Sequence, residues 1–268
     1  MDKWLEANRA NWNDRVGIHV KSRFYDVEGW LRDETVPTSL ELQALGNVEG
    51  LTLVHLQCHF GMDTLRWARV GATVTGVDFS PAAIAEATNL AERAQLEVQS
   101  RFVCATVYDA PEALAGERFD VVYVSLGSLC WLPSIDMWAR SVAKLLRPAG
   151  RLYLHDVHPL SNSLDDDGER FTFGYFEAPE PFIFDSTETY TDGDGIASTT
   201  TYEWNHSLAE IFGALHSNGV VVDAFDELDW TVWRQFPWLE ESEMGTWTIP
   251  AERTRIPLAF TLVAHLAG

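Results

Sequence analysis

Residues 51–86, LTLVHLQCHFGMDTLRWARVGATVTGVDFSPAAIAE, carry the clearest secondary-structure pattern in the chain. The pattern predicts a buried strand over Leu51–Leu56 and a tight turn over Gln57–Gly61. A helix over Met62–Val70 and a second buried strand over Thr73–Val77 follow. Short apolar runs separated by one amphipathic helix are typical of a βαβ unit with parallel strands. We therefore expect an α/β fold built around this unit.

Asp78 comes directly after the second predicted strand. Because βαβ units place ligand sites at the carboxyl ends of their strands, Asp78 and the turn Gln57–Gly61 are expected to share one site. A carboxylate there can accept hydrogen bonds from the two hydroxyls of a ribose, and hydrogen bonds to a charged group contribute about 1.5–3 kcal/mol. The alternative is that Asp78 caps the helix that opens at Ser80-Pro81. Ser80 fits that position better, so we expect Asp78 to bind a ribose.

The turn after the first strand indicates which nucleoside cofactor is bound. A dinucleotide site needs glycines so that the backbone can approach a pyrophosphate. Only Gly61 remains of such a pattern, because Gln57 and His59 carry side chains where the earlier glycines would stand. S-adenosylmethionine contains a ribose and an adenine but no phosphate, so it relaxes that requirement. The turn therefore favours S-adenosylmethionine over a dinucleotide.

The same residues resemble the first motifs of the class I S-adenosylmethionine-dependent methyltransferases over roughly residues 48–160. A narrower resemblance, to a bacterial branch of small-molecule methyltransferases, runs through the segments LQCHFG, DTL, VTGVDFS, CWLP and YEWNHSL. The chain departs from the class where His55 replaces the usual acid and where Gln57 and His59 replace glycines. The resemblance implies a Rossmann-like class I sheet of seven strands, the last one antiparallel, flanked by helices.

The resemblance also implies which residues hold the cofactor. The class holds adenine with the loop after the third strand, usually through an Asp where Thr106 stands here. The Thr106 hydroxyl can still accept from the exocyclic amine and the Val107 amide can donate to a ring nitrogen; the alternative is an ordinary loop at a strand end. The expected cofactor contacts are His55, Gln57, Cys58, His59, Gly61, Asp63, Thr64, Asp78, Phe79, Thr106, Val107, Ser125 and Leu126.

The composition indicates which binding partners and which cellular compartment to expect. The net charge of −21 repels a phosphate backbone, so a nucleic-acid substrate is disfavoured, whereas a sulfonium or another cation is mildly favoured. Cys58, Cys104 and Cys130 have no metal-like spacing and are interpreted as reduced thiols. The amino-terminal stretch has no apolar signal core, and no apolar run is long enough to span a membrane. We therefore expect a cytoplasmic protein.

We expect one domain over residues 1–268, with two additions to its α/β core. Residues 1–45 are predicted to form a helical and aromatic arm. Either the arm lies over the cofactor, or its aromatic side chains only anchor it. Residues 160–205 are predicted to contain strands over 171–176, 182–190 and 198–204 that form an antiparallel flap over the active site. Such a flap would exclude water and shape an acceptor pocket.

Three histidines are candidate bases. His155 and His158 close the fifth predicted strand at the carboxyl edge of the sheet, and His206 precedes a helix. Alternatively, a histidine at the end of the strand only caps that strand by hydrogen bonding, and His206 is only part of the cap of the helix that follows it. No metal is expected, because side chains three residues apart on an extended chain point to opposite faces. Acceptor contacts are expected from Trp12, His19, Tyr25, Trp131, Trp204 and Phe236, the last in a segment (230–247) predicted to be partly helical.

The resemblance and the site residues predict a methyltransferase that uses S-adenosylmethionine. A small-molecule acceptor attacks the sulfonium methyl group in line, and the cofactor brings the reactivity. The abundance of aromatic residues suggests a planar or apolar acceptor. The alternatives are a non-catalytic protein that binds S-adenosylmethionine and an NAD(P)-dependent Rossmann oxidoreductase. We expect neither a nucleic-acid nor a membrane partner, and a monomer or a homodimer.

Overall fold

A seven-stranded β-sheet lies at the centre of the computed structural model, which describes residues 2–243 and 245–268. Its strands are β1 (Thr52–Leu56), β2 (Thr73–Asp78), β3 (Ser100–Cys104), β4 (Phe119–Val124), β5 (Leu146–Val157), β8 (Val220–Leu228) and β12 (Ala259–Leu266). They lie in the order β3-β2-β1-β4-β5-β12-β8. The first five pair in parallel, and β12 is antiparallel to both of its neighbours. The predicted sheet of seven strands with an antiparallel last strand is confirmed.

Helices flank this sheet and continue into an amino-terminal arm. The arm contains α1 (Asp2–His19), α2 (Val27–Arg32) and α3 (Ser39–Leu45). The helices that follow are α4 (Met62–Arg69), α5 (Pro81–Arg93), α6 (Ala110–Ala113), α7 (Ile135–Leu145) and α8 (Leu208–Ser217). In the part of the chain that the structure describes, each helix lacks either the length or the hydropathy that a membrane span requires.

Successive side chains of a strand point to opposite faces of the sheet, so each face carries its own hydrophobic packing. Val54 and Leu56 of β1 face α7 and α8, and both side chains are fully buried. Leu53 points to the other face, where it packs with Trp67 of α4 and Tyr123 of β4. Burial of strands on both faces explains why they appear in the sequence as nearly continuous apolar runs.

The structure supports Ser80, rather than Asp78, as the cap of α5. The Ser80 Oγ accepts a hydrogen bond from the Ala83 amide at 3.1 Å, and Pro81 occupies the first turn. Asp78, the last residue of β2, therefore does not cap the helix.

The predicted flap is partly wrong. Two of its strands form, as the antiparallel pair β6 (Phe182–Asp185) and β7 (Thr200–Glu203), but both are shorter than expected. Residues 171–176 form no strand, and a single bridge joins Leu164 to Phe171. Phe171 and Phe176 are about two-thirds exposed, at 69% and 68%. Without a neighbouring strand to cover them, their β-propensity does not produce a strand.

The described residues of the aromatic-rich segment, 230–243 and 245–247, form no helix, contrary to expectation. It carries the short strands β9 (Trp230–Thr231), β10 (Glu240–Glu241) and β11 (Trp247–Thr248), which pair antiparallel in the order β10-β11-β9. Its pairing is set by contacts across the segment, which periodicity along the chain does not reveal.

Candidate active site

A cavity lies at the carboxyl ends of β1, β2 and β4, where the sheet order reverses direction. Open α/β sheets bind ligands at such a switch point. We call it the strand-end cavity. It is lined by Trp12, Tyr25, Gln57, Cys58, His59, Phe60, Gly61, Met62, Asp63, Asp78, Phe79, Ser125, Leu126, Gly127, Ser128, Trp131 and Tyr190.

Asp78 is the buried acid of this cavity, with 7% of its surface exposed. Its Oδ2 accepts a hydrogen bond from the His59 amide at 2.9 Å, and its Oδ1 accepts one from the Ser80 amide at 2.8 Å. Burial raises the pKa of Asp78 to about 6, although these two hydrogen bonds oppose the shift. Each carboxylate oxygen retains a second lone pair, so Asp78 can accept two further hydrogen bonds from a ligand.

The turn after β1 has an unusual backbone. Gln57 and His59 adopt positive φ angles of 58° and 51°, and Gly61 has a φ of 82°. A Cβ at Gly61 would lie 2.8 Å from the ring of Phe102, which explains why glycine remains there. The Gln57 Nε2 donates to the Ser128 carbonyl at 2.8 Å and so ties the turn to the loop after β4.

His55 and Thr64, both predicted cofactor contacts, lie behind the lining of the cavity. The His55 Nδ1 is 2.8 Å from the Thr64 Oγ1, and its Nε2 is 2.9 Å from the Ser125 Oγ. Burial lowers the pKa of His55 to about 4, so this histidine is neutral near pH 7. The ring joins β1, α4 and the loop after β4, where the class has an acid.

A smaller cavity adjoins the first one through residues that line both. Thr106 and Val107 lie on its wall, and the shared residues are Gln57, Asp78, Phe79 and Trp131. The Thr106 Oγ1 donates to the Asp109 carboxylate at 2.7 Å. Asp78 therefore lies between the two cavities, as expected for a carboxylate that binds the ribose of a nucleoside cofactor.

Asp156 anchors the loop after β4. Its carboxylate accepts hydrogen bonds from the Gly127 amide at 2.8 Å, the Ser128 amide at 3.2 Å and the Leu129 amide at 2.8 Å. Burial raises the pKa of Asp156 to about 6. The sequence marks Asp156 only as an acid beside His155, because the loop that it binds is distant in the chain.

The amino-terminal arm forms part of the wall of the strand-end cavity. The His19 Nδ1 lies 2.9 Å from the His59 Nε2, and the His19 Nε2 lies 2.7 Å from the Thr189 Oγ1. The Tyr25 and Tyr190 hydroxyls are 2.5 Å apart. The arm thus contacts both the turn after β1 and the segment after β6. Thr189 and Tyr190 were not predicted as site residues, because no local pattern brings them to the arm.

The predicted acceptor residues divide between two places. Trp12, Tyr25 and Trp131 line the strand-end cavity, and His19 lies behind His59. Trp204 and Phe236 line a different cavity, beneath the flap.

The three candidate histidine bases all lie outside the lining of the strand-end cavity. The His155 ring packs edge-on against Trp230, with ring centroids 6.3 Å apart. The His158 Nε2 lies 2.9 Å from a Glu227 carboxylate oxygen. The His206 Nδ1 is 2.7 Å from the Glu177 Oε2, while its Nε2 faces the carbonyls of residues 129 and 132. These contacts favour structural roles, so catalysis by the three histidines stays a prediction.

Residues 54–154 match the family model described as a methyltransferase domain. The chain is 33% identical over 167 residues to a ubiquinone biosynthesis O-methyltransferase of Methylobacterium sp. strain 4-46; the match covers 58% of this chain and 61% of the relative. The chain spans about half the length of the curated relatives it matches.

Two solved structures share the fold. One is a putative S-adenosylmethionine-dependent methyltransferase from Listeria monocytogenes, with a TM-score of 0.61 and 18% identity over 85% of this chain and 96% of that one. The other is the DhpI–SAH complex, with a TM-score of 0.59 and 17% identity over 100% of this chain and 98% of that one.

The sheet order and the two structural likenesses show that the chain has the class I methyltransferase fold. The match to the methyltransferase-domain model covers residues 54–154 of that fold.

Proposed function

We propose that the chain binds S-adenosylmethionine in the strand-end cavity and transfers its methyl group to a small-molecule acceptor by in-line displacement. The buried Asp78 carboxylate, placed between two adjoining cavities at the sheet switch point, is the observation that carries this proposal. The O-methyltransferase name of the curated relatives and the bound ligand of the DhpI–SAH complex support it.

The residues present fit this cofactor. Asp78 would accept the ribose hydroxyls, and the loop at Thr106 and Val107 would hold the adenine. The turn Gln57–Gly61 and the loop of residues 125–128 would hold the methionine portion. The bound cofactor supplies an electrophilic methyl group on a sulfonium. The protein positions the acceptor and excludes water, and positioning alone can lower the barrier by about 7–11 kcal/mol.

The arm, residues 1–45, and the flap, residues 160–205, are proposed to complete this site within one domain. The arm contacts the turn through His19 and His59, which supports a role in covering the cofactor. We also propose that the protein works in the cytoplasm as a monomer or homodimer, on free small molecules. Its free cysteines at 58, 104 and 130 and its net charge of −21 support this setting.

The NAD(P)-dependent alternative is disfavoured by the turn after β1. Gln57 and His59 place side chains where a pyrophosphate would need close approach to the backbone. A titration calorimetry experiment separates the cofactors. We expect S-adenosylhomocysteine, the demethylated product, to bind the full chain with a micromolar Kd and NADPH to show no saturable heat. Saturable binding of NADPH with no binding of S-adenosylhomocysteine would overturn the proposal.

The affinity for S-adenosylhomocysteine should depend on pH. Burial raises the pKa of free Asp78 to about 6, and hydrogen bonds from ribose hydroxyls favour its ionised form. Binding therefore lowers that pKa, and the affinity is expected to be constant above pH 7 and to fall as the pH decreases through 6. Because the pKa of Asp156 is also about 6, the same titration of Asp78→Asn serves as the control. A fall of equal size in the variant would show that Asp78 is not responsible.

A further inference from the structure

The structure describes a closed form of the proposed cofactor site. The strand-end cavity measures about 110 Å³, and the adjoining cavity beside Thr106 measures about 30 Å³. An engineered apolar cavity of about 150 Å³ holds benzene, and a nucleoside joined to an amino acid is several times larger than benzene. Part of the cavity wall must therefore move before the cofactor can enter.

The wall formed by the sheet is fixed from several sides. A side-chain hydrogen bond joins the turn after β1 to the loop after β4, and Asp156 binds three amides of that loop. The opposite wall consists of Trp12 and Tyr25 of the amino-terminal arm and Tyr190 of the segment after β6. Because the first wall is tied within the core, the opening of the cavity falls to the second.

Hydrogen bonds join α1 to β7 and to the segment before it. The Asn8 Nδ2 donates to the Tyr202 carbonyl at 2.7 Å, and its Oδ1 accepts from the amide of the same residue at 2.8 Å. The Asn11 Nδ2 donates to the Ser198 carbonyl at 2.7 Å, and the Asp14 Oδ2 accepts from the Ser198 amide at 2.7 Å. We call α1 and the pair β6–β7, with the segment that connects those two strands, the lid.

Two side chains of α1 fasten the lid beside Asp78. The His19 Nδ1 lies 2.9 Å from the His59 Nε2, and the Asn13 Oδ1 accepts a hydrogen bond from the Ser80 Oγ at 2.6 Å. We call these two contacts the latches. His59 and Ser80 are also the residues whose amides donate to the Asp78 carboxylate. The lid is thus fastened to residues that set the position of the proposed ribose acceptor.

The latch between the two histidines is a neutral hydrogen bond. Burial lowers the pKa of His19 to about 3, with a further contribution from Arg15 of α1. Burial also lowers the pKa of His59, and His19 and Arg15 add to that shift. Both rings are therefore neutral near pH 7, so one donates and the other accepts. Such a contact can break and re-form without moving a charge through the protein interior.

The lid remains attached to the core where the chain leaves α1 and where it leaves β7. Beyond α1, Val27 and Trp30 of α2 pack with Leu65 of α4. At the end of β7, the Trp204 amide donates to the Cys130 carbonyl at 2.8 Å. Hinges of moving segments commonly lie at such ends of elements, so these two attachments suit the hinge positions.

We propose that α1 and the pair β6–β7 open as one lid to admit the cofactor, and that the His19–His59 and Asn13–Ser80 contacts are the latches that hold this lid shut. The inference rests on the proposed binding of S-adenosylmethionine in the strand-end cavity. When the lid closes over the bound cofactor, the latches re-form beside Asp78. Closure and ribose binding thereby use the same two residues of the core.

Stopped-flow fluorescence with S-adenosylhomocysteine and the full chain measures how fast the ligand enters and leaves. Trp12 and Trp131 line the strand-end cavity, so their emission reports the binding event. The latches are closed both in the free protein and in the complex. Breaking one should therefore raise the association and the dissociation rate constants by the same factor, and Kd should stay within about twofold of the wild type.

Two variants break one latch each. His19→Phe keeps a ring in the same surroundings but removes the hydrogen bond to His59, and Asn13→Ala removes the acceptor of the Ser80 hydroxyl. Each should raise both rate constants by about two- to tenfold, the range that one ordinary hydrogen bond corresponds to. The double variant should show roughly the product of the two factors. Glu6→Gln, an exposed change on the same helix, should alter neither rate constant.

A third variant tests whether the lid moves as one body. Asn8→Ala removes both hydrogen bonds to the Tyr202 backbone but leaves the latches intact. The association rate constant should then stay within about twofold of the wild type. A rise as large as that of His19→Phe would show that α1 opens without the pair β6–β7, and would overturn the single lid. Asn11→Ala, which removes the neighbouring bond to Ser198, gives the same comparison if the first variant does not fold.

The outcomes separate this inference from the proposed function. If S-adenosylhomocysteine binds the wild type but both latch variants keep the wild-type association rate constant, the lid is overturned while the cofactor site stands. Weaker affinity through faster dissociation alone would assign His19 and Asn13 to the support of Asp78 instead. If S-adenosylhomocysteine does not bind the wild type, the proposed function fails and this inference fails with it.

Discussion

Replacing Asp78 with Ala should weaken the binding of S-adenosylhomocysteine at least tenfold, as measured by titration calorimetry. The ribose hydroxyls would lose a charged acceptor, and hydrogen bonds of this kind contribute about 1.5–3 kcal/mol, where each 1.4 kcal/mol corresponds to about a factor of ten. The position of Asp78 at the tip of β2, buried and facing both adjoining cavities, is the physical reason.

Two further variants make the Asp78 result specific. Asp78→Asn removes the charge but keeps one acceptor oxygen, so it retains the hydrogen bond from either the His59 or the Ser80 amide, whereas Asp78→Ala loses both. Asp226→Ala, an exposed change on the edge strand β8, should leave the affinity unaltered. Wild-type affinity in both Asp78 variants would remove Asp78 from the cofactor site.

Replacing Asp156 with Ala should lower the free energy of unfolding by about 3 kcal/mol or more, because a buried donor that loses its partner costs about 1–3 kcal/mol. The substitution removes the acceptor for the amides of Gly127, Ser128 and Leu129, which hold the loop after β4 in place. The same variant should bind S-adenosylhomocysteine more weakly, since part of that loop lines the strand-end cavity.

Urea denaturation of the wild type and Asp156→Ala, fitted with a common m-value, measures the first effect. Asp223→Ala is a suitable control, because Asp223 is exposed on β8 and pairs with His265 near the surface. Surface pairs of that kind contribute about 0–1 kcal/mol. Equal stability of wild type and Asp156→Ala would show that water, rather than the carboxylate, satisfies the loop.

The sequence was informative where the structure depends on neighbours along the chain. The βαβ unit, the end of β2 at Asp78 and the cap at Ser80 follow from local periodicity and capping chemistry. The parallel strands were recognisable because burial on both faces leaves uninterrupted apolar runs. The antiparallel position of β12 came instead from the family resemblance, and the structure confirms it.

Contacts between segments that are distant in the chain could not be predicted from the sequence. No local sequence pattern places Thr189 beside His19, or Arg15 and Glu203 in the lining of the cavity beneath the flap. The sequence likewise does not reveal that the His206 ring lies against Glu177 and two backbone carbonyls, and its catalytic role stays a prediction. The strand expected at 171–176 did not form for a related reason, since β-propensity requires a partner strand.

A crystal structure of the full chain with S-adenosylhomocysteine tests the central claim most directly. We predict that both ribose hydroxyls bind the Asp78 carboxylate, that adenine lies against Thr106 and Val107, and that the sulfur faces Trp131. Density for the ligand elsewhere, with the space beside Asp78 unoccupied at saturating concentration, would contradict the methyltransferase account and leave only the fold.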